Sequence, residues 1–168
     1  MKKNSADEIA NRTLVPILAL DLHYEYLNEL KAVFADMKKV SKISSQFHWK
    51  EENLKIEERI KDEVVLITDS DLKIVFASKG IKKMTGYAEE EILGKTPKMF
   101  QGPQTCQSVL KEIKDAIKQK IPFKKTIENY KKNGETYKCQ VDAIPVFNQK
   151  GKLSHFIAFE KEDKNQSV

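Results

Sequence analysis

The side chains able to do chemistry are few and scattered. Two cysteines, Cys106 and Cys139, stand 33 positions apart with no C-x-x-C beside either. The three histidines, His23, His48 and His155, share no metal-ligand spacing with them or with one another. Such a set makes neither a disulfide scaffold nor an ordinary zinc site. No glycine-rich phosphate loop and no nucleophile spaced to a base can be read from the chain, so it points to binding rather than to catalysis. The histidines are expected at the surface, and Trp49 is expected to pack within a helical segment.

Charge narrows the partners. Lys+Arg 30 against Asp+Glu 25 leaves a net charge of +5. The excess gathers between Lys111 and Lys132, where eight lysines face Glu112, Asp115 and Glu128. Arginine, the usual reader of guanine edges, occurs only at Arg12 and Arg59, outside that stretch. The lysines therefore read as a solvated face and not as a nucleic-acid groove. The longest nearly unbroken apolar run, Leu14 to Leu20, is far short of the roughly 20 residues a membrane span needs. Asp7 and Glu8 stand where a signal peptide would be apolar, so a cytoplasmic location and no membrane partner are expected.

The elements that must position any site fall into two parts. At 168 residues the chain has material for one domain and an extension. Residues 1–61 show helical periodicity. Ser5-Ala6-Asp7-Glu8 fits a capping box, and Pro16, tolerable in a first turn, predicts a helix starting near Thr13. Leu20, Leu27, Leu30, Phe34 and Met37 form an apolar stripe on it, and a second helical stretch is predicted from Gln46 to Lys61, as a separate helix or as the end of one bent helix. This amphipathic extension must bury its stripe against the following domain or a second copy.

From Glu63 the period changes to that of strands. Glu63–Thr68 is a buried-strand run closed by Asp69-Ser70-Asp71, and Lys73–Ala77 returns beside it. Short helices are predicted at Lys79–Thr85 and Ala88–Leu93, each stopped by a glycine, and Thr105 is expected to cap a helix running to Lys120. Phe123–Lys131, Glu135–Phe147 and Lys152–Lys161 complete the strands, with Asn133-Gly134 as a hairpin signal. The fold class is α+β, a five-stranded antiparallel sheet with helices in its middle connection. In the last strand Phe156 and Ala158 share one face and Ile157 and Phe159 the other, so neither face is polar. The outer face therefore needs a cover, for which the N-terminal helices are the candidate.

Residues 62–162 resemble a PAS domain, and within that superfamily the light-oxygen-voltage (LOV) branch. The resemblance is carried by Phe76–Lys95, Met99–Thr105, Glu128–Tyr137 and Ile144–Glu160. It implies a PAS fold over residues 62–162; the helical extension over 1–61 lies outside the resemblance, and residues 163–168 are expected to be a disordered tail. It also implies a sensory, signal-transduction module that passes a packing change to a separate or truncated output domain: a histidine kinase, a cyclase or a transcription regulator. Homodimerisation through the N-terminal helices would accompany it.

In LOV members the cofactor is a flavin, bonded in the light by a cysteine. The resemblance places Pro97 at that cysteine's position, and proline has no nucleophile. Gln101 and Asn129 match the family's polar contacts. Lys98 keeps the charge of an arginine without its fork, Cys139 stands for a second asparagine, and Glu160 for a glutamine. The candidate pocket residues are thus Gln101, Asn129, Lys98, Cys139 and Glu160. Strand alternation gives Cys139 a competing reading as a small core residue beside Tyr137, Val141 and Ala143, and Glu160 one as a solvated strand end. The mixed set favours an empty or small-ligand pocket, with a flavin sensor lacking the cysteine bond, or a ligand-free dimerisation scaffold, as the alternatives. No histidine stands on the helix from which haem-binding members present one, so haem is not expected.

Overall fold

The computed structural model describes residues 5–50 and 54–163, with side chains from Leu20 onward. Of the predicted tail, all but Asp163 lies outside the described residues. The chain opens with a long helix, α1 (Ser5–Gln46), and a single turn, α2 (Ile56–Arg59). A hairpin follows, β1 (Val64–Asp69) and β2 (Ile74–Ala77), then α3 (Gly80–Thr85), α4 (Glu89–Ile92), a 3-10 turn (Pro97–Phe100) and α5 (Gln107–Gln119). Three strands close it: β3 (Phe123–Tyr130), β4 (Thr136–Phe147) and β5 (Leu153–Glu162). The strands make one antiparallel sheet in the order β2-β1-β5-β4-β3, so the helices fill the connection between its two edges.

Both faces of this sheet are apolar because both are covered. Val64, Leu66, Tyr137, Cys139, Val141 and Ala143 point to the inner face, beneath α3, α4 and the 3-10 turn. Val65, Ile67, Val146, Ile157 and Phe159 point outward and pack with Val40, Trp49, Ile56 and Ile60 of the N-terminal extension. The cover expected for the last strand is therefore present. Arg59 adds to it, its guanidinium stacked 3.7 Å from the Phe159 ring centroid and paired with Asp142 at 3.0 Å.

Four expectations about the helices need correction. α1 begins at Ser5, not near Thr13, and runs on through Pro16. The apolar set that docks is Val33, Met37, Val40 and Ile43; Leu20, Leu27, Leu30 and Phe34 remain exposed, Phe34 by 62%. Asp36 decides the docking face, for its buried carboxylate accepts the Lys79 N–H at 2.8 Å at the start of α3. The stretch Gln46 to Lys61 is not one helix. His48 and Lys55 turn left-handed, and Trp49 leaves the helix to pair with Asn148 beside the β4–β5 turn, so burial of the indole overrides helix propensity. Thr105 does not cap α5 in the usual way. Its hydroxyl accepts the Gly102 N–H at 3.0 Å and donates to the Glu128 carbonyl at 2.7 Å, tying the loop to β3.

His155 is also not a surface residue; its exposure is 1%. The Trp49 indole N–H donates to its Nδ1 at 3.0 Å, and Ser154 Oγ lies 2.7 Å from the same atom. An indole nitrogen can only donate, so Nδ1 is bare and the ring proton sits on Nε2, which is buried without a partner among the described residues. His23 and His48 are exposed as expected.

Candidate functional site

A cavity of about 400 Å³ lies between the inner face of the sheet and the helices. Its floor is Leu66, Val141, Ala143, Phe156 and Ala158, residues that alternation puts on one face of adjoining strands. Its roof is Leu110, Ile113 and Ile117 of α5, spaced three and four apart so that one helical stripe faces the sheet. Pro97 and Phe100 of the 3-10 turn close one side, Phe123 and Ile127 of β3 the other. An apolar slot between two walls accepts a flat, apolar-bodied group.

Polar groups enter this slot at a few points. Asn129 on β3 and Glu160 on β5 are both buried and both line it, as does the half-buried Gln101. Lys98 lines it from an exposed position, together with Lys114. The structure thus brings four of the five sequence-derived residues to one cavity. Cys139 is the exception: fully buried among inner-face core residues, it does not line the slot. Burial pushes its thiol well above the ordinary range, with Glu160 adding to the effect, so no thiolate forms there at neutral pH.

Glu160 is not a solvated strand end. It lies between Val64 on β1 and Val141 on β4, 6% exposed, and its carboxyl is pushed up to about 7 by desolvation. Its side-chain partner is the Cys139 thiol, Sγ to Oε2 3.8 Å, a weak bond.

Two site features escaped the sequence reading. Thr68 is buried, lines the cavity, and its hydroxyl has no partner among the described residues. The i, i+2, i+4 run Val64, Leu66, Thr68 was the signal that could have placed it on the inner face. The second is the α5 stripe, legible from its spacing alone. Around the rim, Gly102 lies so close to the Tyr130 ring that a Cβ there would meet Cε2 at 2.4 Å, while the Tyr130 hydroxyl accepts the Gln104 N–H at 3.0 Å. The glycine lets the loop after the 3-10 turn lie flat against β3.

A sheet of this order, with helices in its connection and a slot between them, is the architecture expected of a PAS domain. The PAS domain family model matches residues 62–162, and the chain belongs to that family. Among its relatives, Protein TWIN LOV 1 of Arabidopsis thaliana is 40% identical over 88 residues, 52% of this chain and 22% of that protein. The blue-light-activated histidine kinase of Brucella canis is 37% identical over 97 residues, 56% of this chain and 20% of that protein. The match therefore spans about a fifth of the length of these relatives. The light-state structure of the blue-light photoreceptor Aureochrome1 LOV superposes with a TM-score of 0.60 at 25% identity, covering 67% of this chain and 91% of that one.

Proposed function

We propose that the domain is a sensor whose cavity takes a flat conjugated heterocycle of the flavin class, held without a bond to cysteine, and whose occupancy is read out through α1. The observation that carries this is the slot itself: two apolar walls with Asn129, Gln101, Glu160 and an unpartnered Thr68 hydroxyl along its polar points. Two of the departures from the flavin set weigh less once the geometry is considered. Cys139 lies behind the wall rather than in it. A neutral Glu160 offers one O–H donor and one carbonyl acceptor, which is the pair an amide offers. Asn129, Gln101 and Glu160 would hold the ring's polar edge, and Lys98 with Lys114 an anionic tail. When bound, such a group supplies light absorption and redox chemistry.

Binding rather than catalysis fits the same residues, because the one thiol near the cavity is held protonated. Among the described residues no helix is long and apolar enough to cross a membrane, and no cluster of His, Cys, Asp or Glu could hold a metal ion. Titration of purified protein with riboflavin and flavin mononucleotide, followed by flavin fluorescence and native mass spectrometry, tests the reading. We expect one-to-one binding with quenched fluorescence. No complex with either, at concentrations where free flavin is still soluble, would overturn it and favour an unrelated small ligand.

A second copy of the chain is the partner the extension favours. Seven large apolar or aromatic side chains between Leu20 and Phe34 stay exposed on α1, a density that monomeric helices seldom show. An output protein would then read the pairing or register of two α1 helices.

A further inference from the structure

We propose that Glu160 sets both the edge chemistry and the proton state of what the cavity accepts: its neutral carboxyl matches a ring edge carrying an acceptor next to a donor, as a ring lactam does, and its carboxylate rejects that edge. This rests on the reading that the cavity holds a flat heterocycle.

The surroundings of Glu160 favour the neutral form. It is 6% exposed, and its flanking cross-strand neighbours, Val64 and Val141, carry no charge. From β4 it faces the Cys139 thiol and, further along, the Tyr137 phenol, both held protonated by burial. Glu162, next on its own strand, is engaged by Lys131 at 2.8 Å. The other charged groups on the cavity wall are Asp71 from the β1–β2 turn, Lys98 from the 3-10 turn and Lys114 from α5. All three are exposed, so none provides a buried countercharge. The hydrogen bond to its side chain comes from a thiol, the weakest donor among common side chains. A carboxylate placed there would be desolvated and unpaired. Protonated, the same group fills its donor and acceptor roles against a ligand edge. Desolvation places this carboxyl at about 7, so the change of state falls inside the physiological range.

A site in which only the acid form binds loses affinity as pH rises past that point. Riboflavin is the probe of choice, because it lacks the phosphate that titrates in the same window. Its affinity for the wild-type protein should fall roughly 30-fold between pH 6 and pH 8.5, the change expected for one proton leaving near 7. In Glu160→Gln, which keeps the donor and acceptor pair at every pH, it should vary less than about twofold. Infrared spectra of the ligand-free wild type at pH 6 should show a buried carboxylic-acid C=O band that disappears by pH 8.5 and is absent from the variant. Equal pH slopes in the two proteins, or a flat wild-type profile, would overturn the proposal. So would a missing acid band at pH 6, whatever the cavity binds. If neither protein binds riboflavin while the acid band is present, the ring-binding reading fails and the protonated carboxyl stands.

Discussion

Lowering the pH from 8 to 5.5 should weaken the hold of the N-terminal extension on the sheet through a single residue, His155. Its Nδ1 accepts the Trp49 indole N–H, and both rings are buried. Protonation at Nδ1 would set two donors against each other and place a cation where desolvation opposes it. Asp69, its cross-strand partner on β1, is the one charge that favours the protonated form, and it is the smaller influence. The folded-state pKa is therefore depressed below 6.5, so the stabilisation is complete above that value and is lost as pH falls below it. Each pH unit below the unfolded value removes at most about 1.4 kcal/mol, a limit reached only while the folded ring stays neutral, so lowering the pH to 5.5 should cost stability up to that bound. Glu160 acts in the opposite sense: its raised value gives stability that is full below 4.5 and is lost as pH rises through about 7. The comparison must cancel that contribution. In His155→Gln the amide oxygen still accepts the indole N–H, nothing titrates there, and Glu160 is untouched. Urea denaturation of both proteins at pH 8 and 5.5, with tryptophan emission as the probe, gives the difference directly. Wild type should lose more stability than the variant on acidification, by up to about 1.4 kcal/mol. Parallel pH profiles would refute the buried neutral histidine.

The double variant Leu30→Asp with Phe34→Asp should leave the melting temperature of a dilute monomer nearly unchanged, since both side chains are already exposed, yet abolish dimers in sedimentation. An unaltered sedimentation coefficient would remove α1 as the pairing surface. Gly102→Ala should cost about 1–3 kcal/mol in urea denaturation, because a Cβ 2.4 Å from the Tyr130 ring forces the loop off β3; an unchanged midpoint would show that the ring gives way freely. With excess flavin mononucleotide under blue light, the protein should show no reversible bleaching through a cysteinyl bond. Pro97 lines the cavity, Cys139 lies behind its wall, and Cys106 is exposed at the start of α5 outside it. Bleaching that Cys139→Ser abolishes would contradict this.

The strands and the inner face of the sheet were legible because their signals are local. Alternation from Tyr137 to Ala143, the buried run at Val64 and the Asn133-Gly134 turn each concern neighbours a few residues apart. Gln101, Asn129 and Lys98 were placed by motif, and the cavity they line follows from the strand order. What could not be read depended on distant pairings. Trp49 meets His155 across 106 positions, and no periodicity around either residue announces it. Glu160 looked solvated because carboxylates at strand ends usually are; only the register of β5 between β1 and β4 buries it. On α1 the spacing offered the stripe from Leu20 to Met37, whereas the docked face follows Asp36, whose bond to Lys79 appears only once the helix docks.

The register of β5 joins these features into one path. Phe156, Ala158 and Glu160 face the cavity, while His155, Ile157 and Phe159 face the N-terminal cover. Adjacent residues on one strand thus touch opposite layers. The outer side leaves no room for slack, since Ile157 is fully buried and Phe159 carries the Arg59 guanidinium on its ring. In a close-packed interior a displacement on one face is passed on and not absorbed, because facing layers settle into discrete arrangements. On the proposed reading, a ligand that pushed on Glu160 or Ala158 would press Phe159 and Ile157 against α2 and the docked end of α1. The clamp between His155 and Trp49 lies at the other end of the same strand, where the chain leaves α1. Releasing it would free the helix at its junction with the domain. The strand that carries the cavity-facing acid is thus also the strand that holds α1, so the two layers are joined through adjacent residues of β5.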